Sequence, residues 1–247
     1  MNNDSIVDQK HWDKVYEGYA LGVVSEKDPV KEWIMRYVPR AKGSENCIEI
    51  GAYPCRYLGI LGILGYELNG IDMEKKIESD ELKIWMKQNN WAFNILQRKN
   101  FLEFDTSNNK FNIVCSLGFI EHFENWQEII MRHTMLLKKG GYLVLETPNF
   151  AGFIQRIFHI LVDSNNYKRH VIKSMNPKKW AEILGEDYEI IYVGYFGEFS
   201  FWYGKQQRNI FQKIIIKCYG IMGKILRKLP CCRLYSPFCG LVAKKIS

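Results

Sequence analysis

Two acids and a glycine stand where consecutive apolar runs of this chain end. Glu49-Ile50-Gly51 closes the run CIEIG, and Asp72 closes YELNGID. In an open α/β sheet, ligands bind beyond the carboxyl ends of the strands, where the strand order reverses. A glycine there lets the backbone approach a ligand closely. A carboxylate at the tip of the second strand accepts two hydrogen bonds from a ribose diol, and the roughly 20 residues from Gly51 to Asp72 suit that geometry. Glu121-His122 follows a later apolar run, at the same end of the expected sheet. An imidazole that titrates near neutrality, beside a carboxylate, can take a proton from an acceptor. His170, in KRHVIKSM, is a second candidate for proton transfer or substrate binding. Plainer roles compete with each: a loop anchor for Glu49, a turn residue for Asp72, a helix cap for His122, a surface histidine for His170.

The elements that must position these groups alternate between strand and helix. Strands are expected at Cys47–Gly51, Tyr66–Asp72, Phe93–Gln97, Phe111–Leu117, Gly141–Glu146, Tyr188–Gly197 and Phe238–Lys244. Helical spacing appears at Arg56–Leu64, Lys75–Lys87, Asn125–Leu137, Phe150–Val162 and from Pro177 to Leu184. Pro177 suits a first helical turn, and Gly140-Gly141 is expected to stop the helix before it. The alternation argues for an α/β fold: a Rossmann-like, mostly parallel seven-stranded sheet with helices on both faces and a helical insertion before the last strand. One domain is expected over 1–247, with a helical lead-in or lid at 1–45, a binding core at 46–149 and an acceptor-side half at 150–247.

Composition bounds the function classes. Nearly half of the 247 residues are apolar and a quarter are charged, as in ordinary globular proteins. No apolar run approaches a membrane span, and MNNDSIVDQK lacks the apolar stretch of a secretion signal, so a cytoplasmic location is expected. Seven scattered cysteines without a C-x-x-C pair suggest neither a disulfide framework nor a zinc site. Ten of the 34 basic residues and none of the 27 acids fall between Ser200 and the end. That asymmetry points to an anionic partner for the tail.

The strand-end pattern serves several nucleoside cofactors. A dinucleotide fingerprint from Gly51 needs glycines where Tyr53 and Arg56 stand, and Tyr53 obstructs a pyrophosphate. S-adenosylmethionine has no phosphate and tolerates a less bare loop. CIEIGAYPCRYL followed by YELNGIDM resembles the first two motifs of class I S-adenosylmethionine-dependent methyltransferases. FNIVCSLGFIEHF followed by LLKKGGYLVLETPN resembles their fourth-strand and fifth-strand block, and HWDKVY resembles their lead-in. The segment PNFAGF to RHVIKSMNP resembles small-molecule and saccharide-tailoring members.

By that resemblance, Glu49, Gly51 and Ala52 shape the pocket for the methionine part of S-adenosyl-L-methionine. Asp72 holds the ribose hydroxyls, and Met73 packs on the adenine. Asn100 stands near an adenine-reading position, where an amide oxygen can accept the amino group's bond. Ser116 and Leu117 line the pocket after the fourth strand. His122, Glu121 and His170 are the catalytic candidates. Related families with E-x-x-E-H bind metal, but Gly118 stands where the first acid falls, so no metal is expected. Tyr53 and Cys55 replace the family's usual glycines, which leaves a non-catalytic binding or scaffold protein as the rival reading. The resemblance implies methyl transfer to a small molecule, saccharide or lipid-linked acceptor, most readily at oxygen.

Three features fall outside that site. Tyr16 and Tyr19 are read as lid residues or as packing. The aromatic cluster Phe196, Phe199, Phe201, Trp202 and Tyr203 either walls an acceptor pocket or packs against the insertion. Within the insertion, about 207–229, Lys213, Lys217, Lys224, Arg227 and Lys228 share an arc of roughly 100° on a helix, with Phe211, Ile214, Ile215, Met222 and Ile225 mostly elsewhere. Two readings stay open: peripheral contact with the anionic inner membrane face, or a helix that packs its apolar side on the body and leaves its lysines in water. No nucleic acid is expected, because no binding module is present.

Overall fold

The computed structural model describes residues 5–204 and 207–247. In chain order it contains α1 (Gln9–Val15), α2 (Pro29–Tyr37), β1 (Asn46–Ile50), α3 (Leu58–Ile63), β2 (Glu67–Asp72), α4 (Asp80–Gln88), β3 (Phe93–Arg98) and β4 (Phe111–Leu117). There follow α5 (Trp126–Met135), β5 (Leu137–Pro148), α6 (Phe153–Val162), α7 (Ser164–Tyr167), α8 (Pro177–Leu184), β6 (Tyr188–Phe196), α9 (Ile210–Leu226) and β7 (Phe238–Lys245). The seven strands form one sheet in the order β3-β2-β1-β4-β5-β7-β6. The first five run parallel, while β7 lies antiparallel between β5 and β6. The order reverses between β1 and β4, which fixes the place for a ligand.

Strand alternation builds two cores. Ile48, Val114, Leu143, Leu145 and Leu241 point to one face, against Ile129 and Ile130 of α5 and Trp180 of α8. Cys47, Ile113, Cys115, Val144 and Val242 point to the other, against Trp33 of α2, Leu58 of α3 and Leu82 of α4. A central strand buried on both faces reads as a near-continuous apolar run, which is why IVC and, interrupted only by Glu49, CIEI carry so clear a signal. Helix starts are chemically marked. Asp28 caps α2 through Val30 N–H at 2.9 Å, with Pro29 in the first turn, and Ser79 caps α4 through Leu82 N–H.

Four expectations need correction. Gly140-Gly141 does not stop α5: the helix ends at Met135, and the pair lies inside β5. Gly140 adopts φ +78, and the β4–β5 register shifts between Phe111 and Ile113. The glycines thus serve an irregularity in a longer strand. The segment from Lys75 is a 3₁₀ turn and then α4, separated by the Ser79 cap. The run Phe150–Val162 becomes helical only at Phe153.

The fourth concerns α9, which does not bury its apolar side. Only Gly223 is fully buried, whereas Phe211, Ile214 and Ile225 are 61%, 55% and 65% exposed. The aromatic cluster packs as one of its two readings holds: Phe201 stacks on Phe158 of α6 at 4.2 Å and meets Tyr219 of α9 at 4.9 Å. All seven cysteines are free. No helix among the described residues is long and apolar enough to cross a membrane.

Candidate active site

A cleft of about 320 Å³ opens beyond the carboxyl ends of β1, β2 and β4. That volume lies in the lower range of small-molecule sites. Glu49, Gly51, Ala52, Asp72, Met73, Asn100, Leu117 and His122 all line it.

The loop after β1 is tied down before any ligand arrives. Gly51 N–H and Ala52 N–H both donate to Ile71 O, at 3.0 and 3.1 Å. Gly51 takes φ +73, and a Cβ there would sit 2.7 Å from Cδ2 of Phe119. Both the turn and the close approach therefore require glycine. Tyr53 does not fill the cleft. Its ring is 5% exposed and rests edge-on against Tyr16 at 5.2 Å.

Asp72 is held by two backbone donors. Tyr53 N–H bonds Oδ2 at 2.9 Å and Glu74 N–H bonds Oδ1 at 2.8 Å. Each oxygen keeps a free lone pair, which suits a diol. Burial raises its pKa to about 6 against the lowering effect of those N–H groups. Glu49 is 3% exposed, and its Oε2 has no protein partner. Burial first, then Asp72, pushes its carboxyl well above the ordinary range. An orphaned buried carboxylate oxygen beside a cleft is a natural seat for a cationic ligand group. Asn100 already spends Oδ1 on Leu102 N–H at 3.0 Å, so an adenine bond falls to its second lone pair. Met73 is 40% exposed at the rim.

Ser116 departs from the expected arrangement. It is fully buried and is not in the lining, because neighbouring strand residues face opposite ways and Leu117 takes the cleft side.

Among the catalytic candidates, only His122 reaches the cleft; Glu121 and His170 stand behind it. His122 Nδ1 lies 2.8 Å from Arg169 O, which fixes the N–H there and leaves Nε2 as the basic atom. His170 repeats the arrangement with Nδ1 2.7 Å from Asn166 O, and its ring lies 4.9 Å from that of His122. Burial, then His170, lowers the His122 pKa to about 3, while burial raises Glu121 to about 8. The imidazole is thus neutral, and Glu121 Oε1 waits 3.9 Å from Nε2. The ligand atoms of Glu121, His122 and His170 lie within 4.8 Å of one another, so this trio is where a divalent ion could sit. A side chain at 118 would start 3.7 Å from Glu121 Oε1, and Gly118 supplies none.

Several lining residues escaped the sequence reading. Tyr57, Lys99, Phe101 and Phe119 belong to the cleft, and the N-terminal segment contributes Ser5, Val7 and Trp12; Tyr16 and Tyr19, named above as lid residues or packing, line it as well. That segment is fastened by Ile6 N–H to His122 O at 2.8 Å and by Trp12 against the His122 ring at 5.0 Å. HWDKVY, with Tyr16 and Tyr19, was the sequence signal for it. None of the aromatic residues from Phe196 to Tyr203 lines this cleft.

The strand order, the two strand-end acids and a loop without a phosphate cradle define the class I methyltransferase architecture. Residues 25–188 match the methyltransferase domain family, and the chain belongs to that family. A methyltransferase from Archaeoglobus fulgidus described as S-adenosylmethionine-dependent is similar over 87% of this chain and 93% of its own, at TM-score 0.52 and 21% identity. The Synechocystis PCC 6803 magnesium protoporphyrin IX methyltransferase, solved with bound S-adenosylhomocysteine, covers 96% and 94% at 0.52 and 13%. The plantazolicin methyltransferase BpumL, also with S-adenosylhomocysteine, covers 88% and 82% at 0.51 and 14%. No curated protein matches the sequence. The chain is an enzyme of methyl transfer, and S-adenosylmethionine is its cofactor. The free lone pairs of Asp72, the orphaned Glu49 oxygen and the glycine-dependent approach at Gly51 fit that group.

Proposed function

We propose that this enzyme methylates a hydroxyl of a small polar acceptor, of the saccharide, lipid-linked or other small-molecule kind, with His122 Nε2 as the general base. Asp72 would hold the ribose hydroxyls, Glu49 the cationic methionine end, and Met73 and Asn100 the adenine. When bound, S-adenosylmethionine supplies an electrophilic methyl on a sulfonium that departs as a neutral thioether. Much of the rate then comes from holding the acceptor in line. A hydroxyl must also lose its proton as its oxygen forms the new bond. The carrying observation is that His122 alone among the three candidates lines the cleft, with Nδ1 fixed on Arg169 O and Nε2 left as the basic atom, 3.9 Å from Glu121 Oε1. Glu121, 3.9 Å from Nε2, and His170, with its ring against that of His122, position it.

The test is turnover with isotopically labelled cofactor against hydroxylated, amino and carbon acceptors. His122→Ala should lower kcat by about 10²–10⁴, with cofactor affinity preserved. Unchanged kcat in that variant, or transfer confined to nitrogen or carbon acceptors, contradicts the proposal.

A further inference from the structure

α9 presents an unusual surface. At about 100° per residue, Ile210, Ile214, Ile221 and Ile225 fall within about 60° of arc, and they are 79%, 55%, 58% and 65% exposed. Phe211 extends this stripe. Lys213, Lys217 and Lys224, all exposed, occupy the next roughly 40° on one side. The opposite side of the helix, around Tyr219 and Gly223, is what meets the body. α6 runs antiparallel beside it: Gln212 Nε2 bonds Leu161 O at 3.1 Å, and the Tyr219 hydroxyl bonds Ile154 O at 3.4 Å. α6 adds exposed Phe153, Ile160 and Leu161.

Monomeric proteins rarely leave so many large aliphatic side chains together in water. The charge around them narrows what covers them. Neither α6 nor α9 contains an acid, and no acid occurs from Ser200 to the end of the chain. A two-fold contact that sets this face on itself would oppose basic rows with no carboxylate to pair them. Aliphatic side chains beside a purely cationic edge match a layer that is apolar beneath and anionic at its surface.

We propose that the α6–α9 face docks on an anionic lipid bilayer, with the isoleucine stripe sunk at the acyl boundary and Lys213, Lys217 and Lys224 on the headgroups. α9 lies in the plane of the interface and does not cross it. Docking is independent of the acceptor and of the residues in the cleft.

The test is co-sedimentation of the full chain with phosphatidylcholine vesicles, with and without phosphatidylglycerol, alongside light scattering for oligomeric state. Binding is expected only with phosphatidylglycerol, and it weakens with salt. Ile214→Ser/Ile221→Ser/Ile225→Ser should abolish it. Lys213→Gln/Lys217→Gln/Lys224→Gln should weaken it on the order of 100-fold. Cofactor binding, retained in both variants, reports that they fold. Absence of vesicle binding by the wild-type chain overturns the proposal, as does binding unaffected by either triple variant. A dimer broken by the serine variant, with no vesicle binding, overturns it too and gives the face to a second copy.

Discussion

Asp72 must stay ionised to hold a sugar diol, yet its burial favours the proton. The two N–H donors from Tyr53 and Glu74 hold the balance near 6. At pH 7 the carboxylate is the main form. Below about 6 a proton competes with the ligand, so affinity for S-adenosylmethionine should fall by up to about tenfold per pH unit. Binding titrations between pH 5 and 8 check this, and a flat profile across that range contradicts it. Both the acid and its spacing from Gly51 were legible in the sequence, because one side chain per strand end suffices to mark the site. The shift in its pKa was not, since it depends on what the fold stacks around it. Ser116 shows the complementary limit. Proximity to the strand end placed it in the pocket, but the pleat turns it away.

At the scale of elements, the central strands could be read because they are buried on both faces. The ends and irregularities were harder, since Gly140-Gly141 looks alike as a helix stop and as a strand bulge. Periodicity also showed which residues of α9 share a face, without showing whether anything covers it. The lead-in helix α1 is the element whose function rests most on tertiary contacts. It buries no residue of its own fully and is held by Ile6 N–H to His122 O and by Lys76 Nζ to Tyr16 O at 3.2 Å. Trp12 lines the cleft against the His122 ring and contributes little to the core, and we propose that it covers the site. Trp12→Ala should speed cofactor release about three- to tenfold, the scale of one lost aromatic contact, with the melting temperature hardly changed. Stopped-flow displacement measures the rate. Unaltered release, or a collapse of the fold, contradicts that proposal.

For the molecule as a whole, buried ionisable groups set opposing pH dependences. Burial holds His122 at about 3 and His133, His159 and His170 at about 4, below the ordinary 6.5. Between those values and 6.5 the unfolded chain binds protons that the folded chain refuses. These four therefore add stability as pH rises to 6.5 and lose it in acid. Burial moves the acids the other way: Asp72 to about 6, Glu121 to about 8, and Glu49 and Glu146 well above 4.5. There the folded chain keeps protons that the unfolded chain releases, and stability falls as pH rises. The two sets oppose each other below 6.5, and above it the acids act alone. Without cofactor, the melting temperature should peak slightly below neutrality and decline towards pH 8, and Glu121→Gln should flatten that decline. A melting temperature that rises from 6.5 to 8 contradicts this balance.

Cofactor capture at the tip of β2 is the claim on which the enzyme's chemistry depends. Calorimetric titration of S-adenosylmethionine into the wild-type chain and Asp72→Ala tests it most directly. One binding site is predicted for the wild type, and Asp72→Ala should weaken it about 100- to 10,000-fold through the loss of two charge-assisted hydrogen bonds. No heat from the wild type at millimolar ligand, or equal affinity in the two proteins, would contradict it.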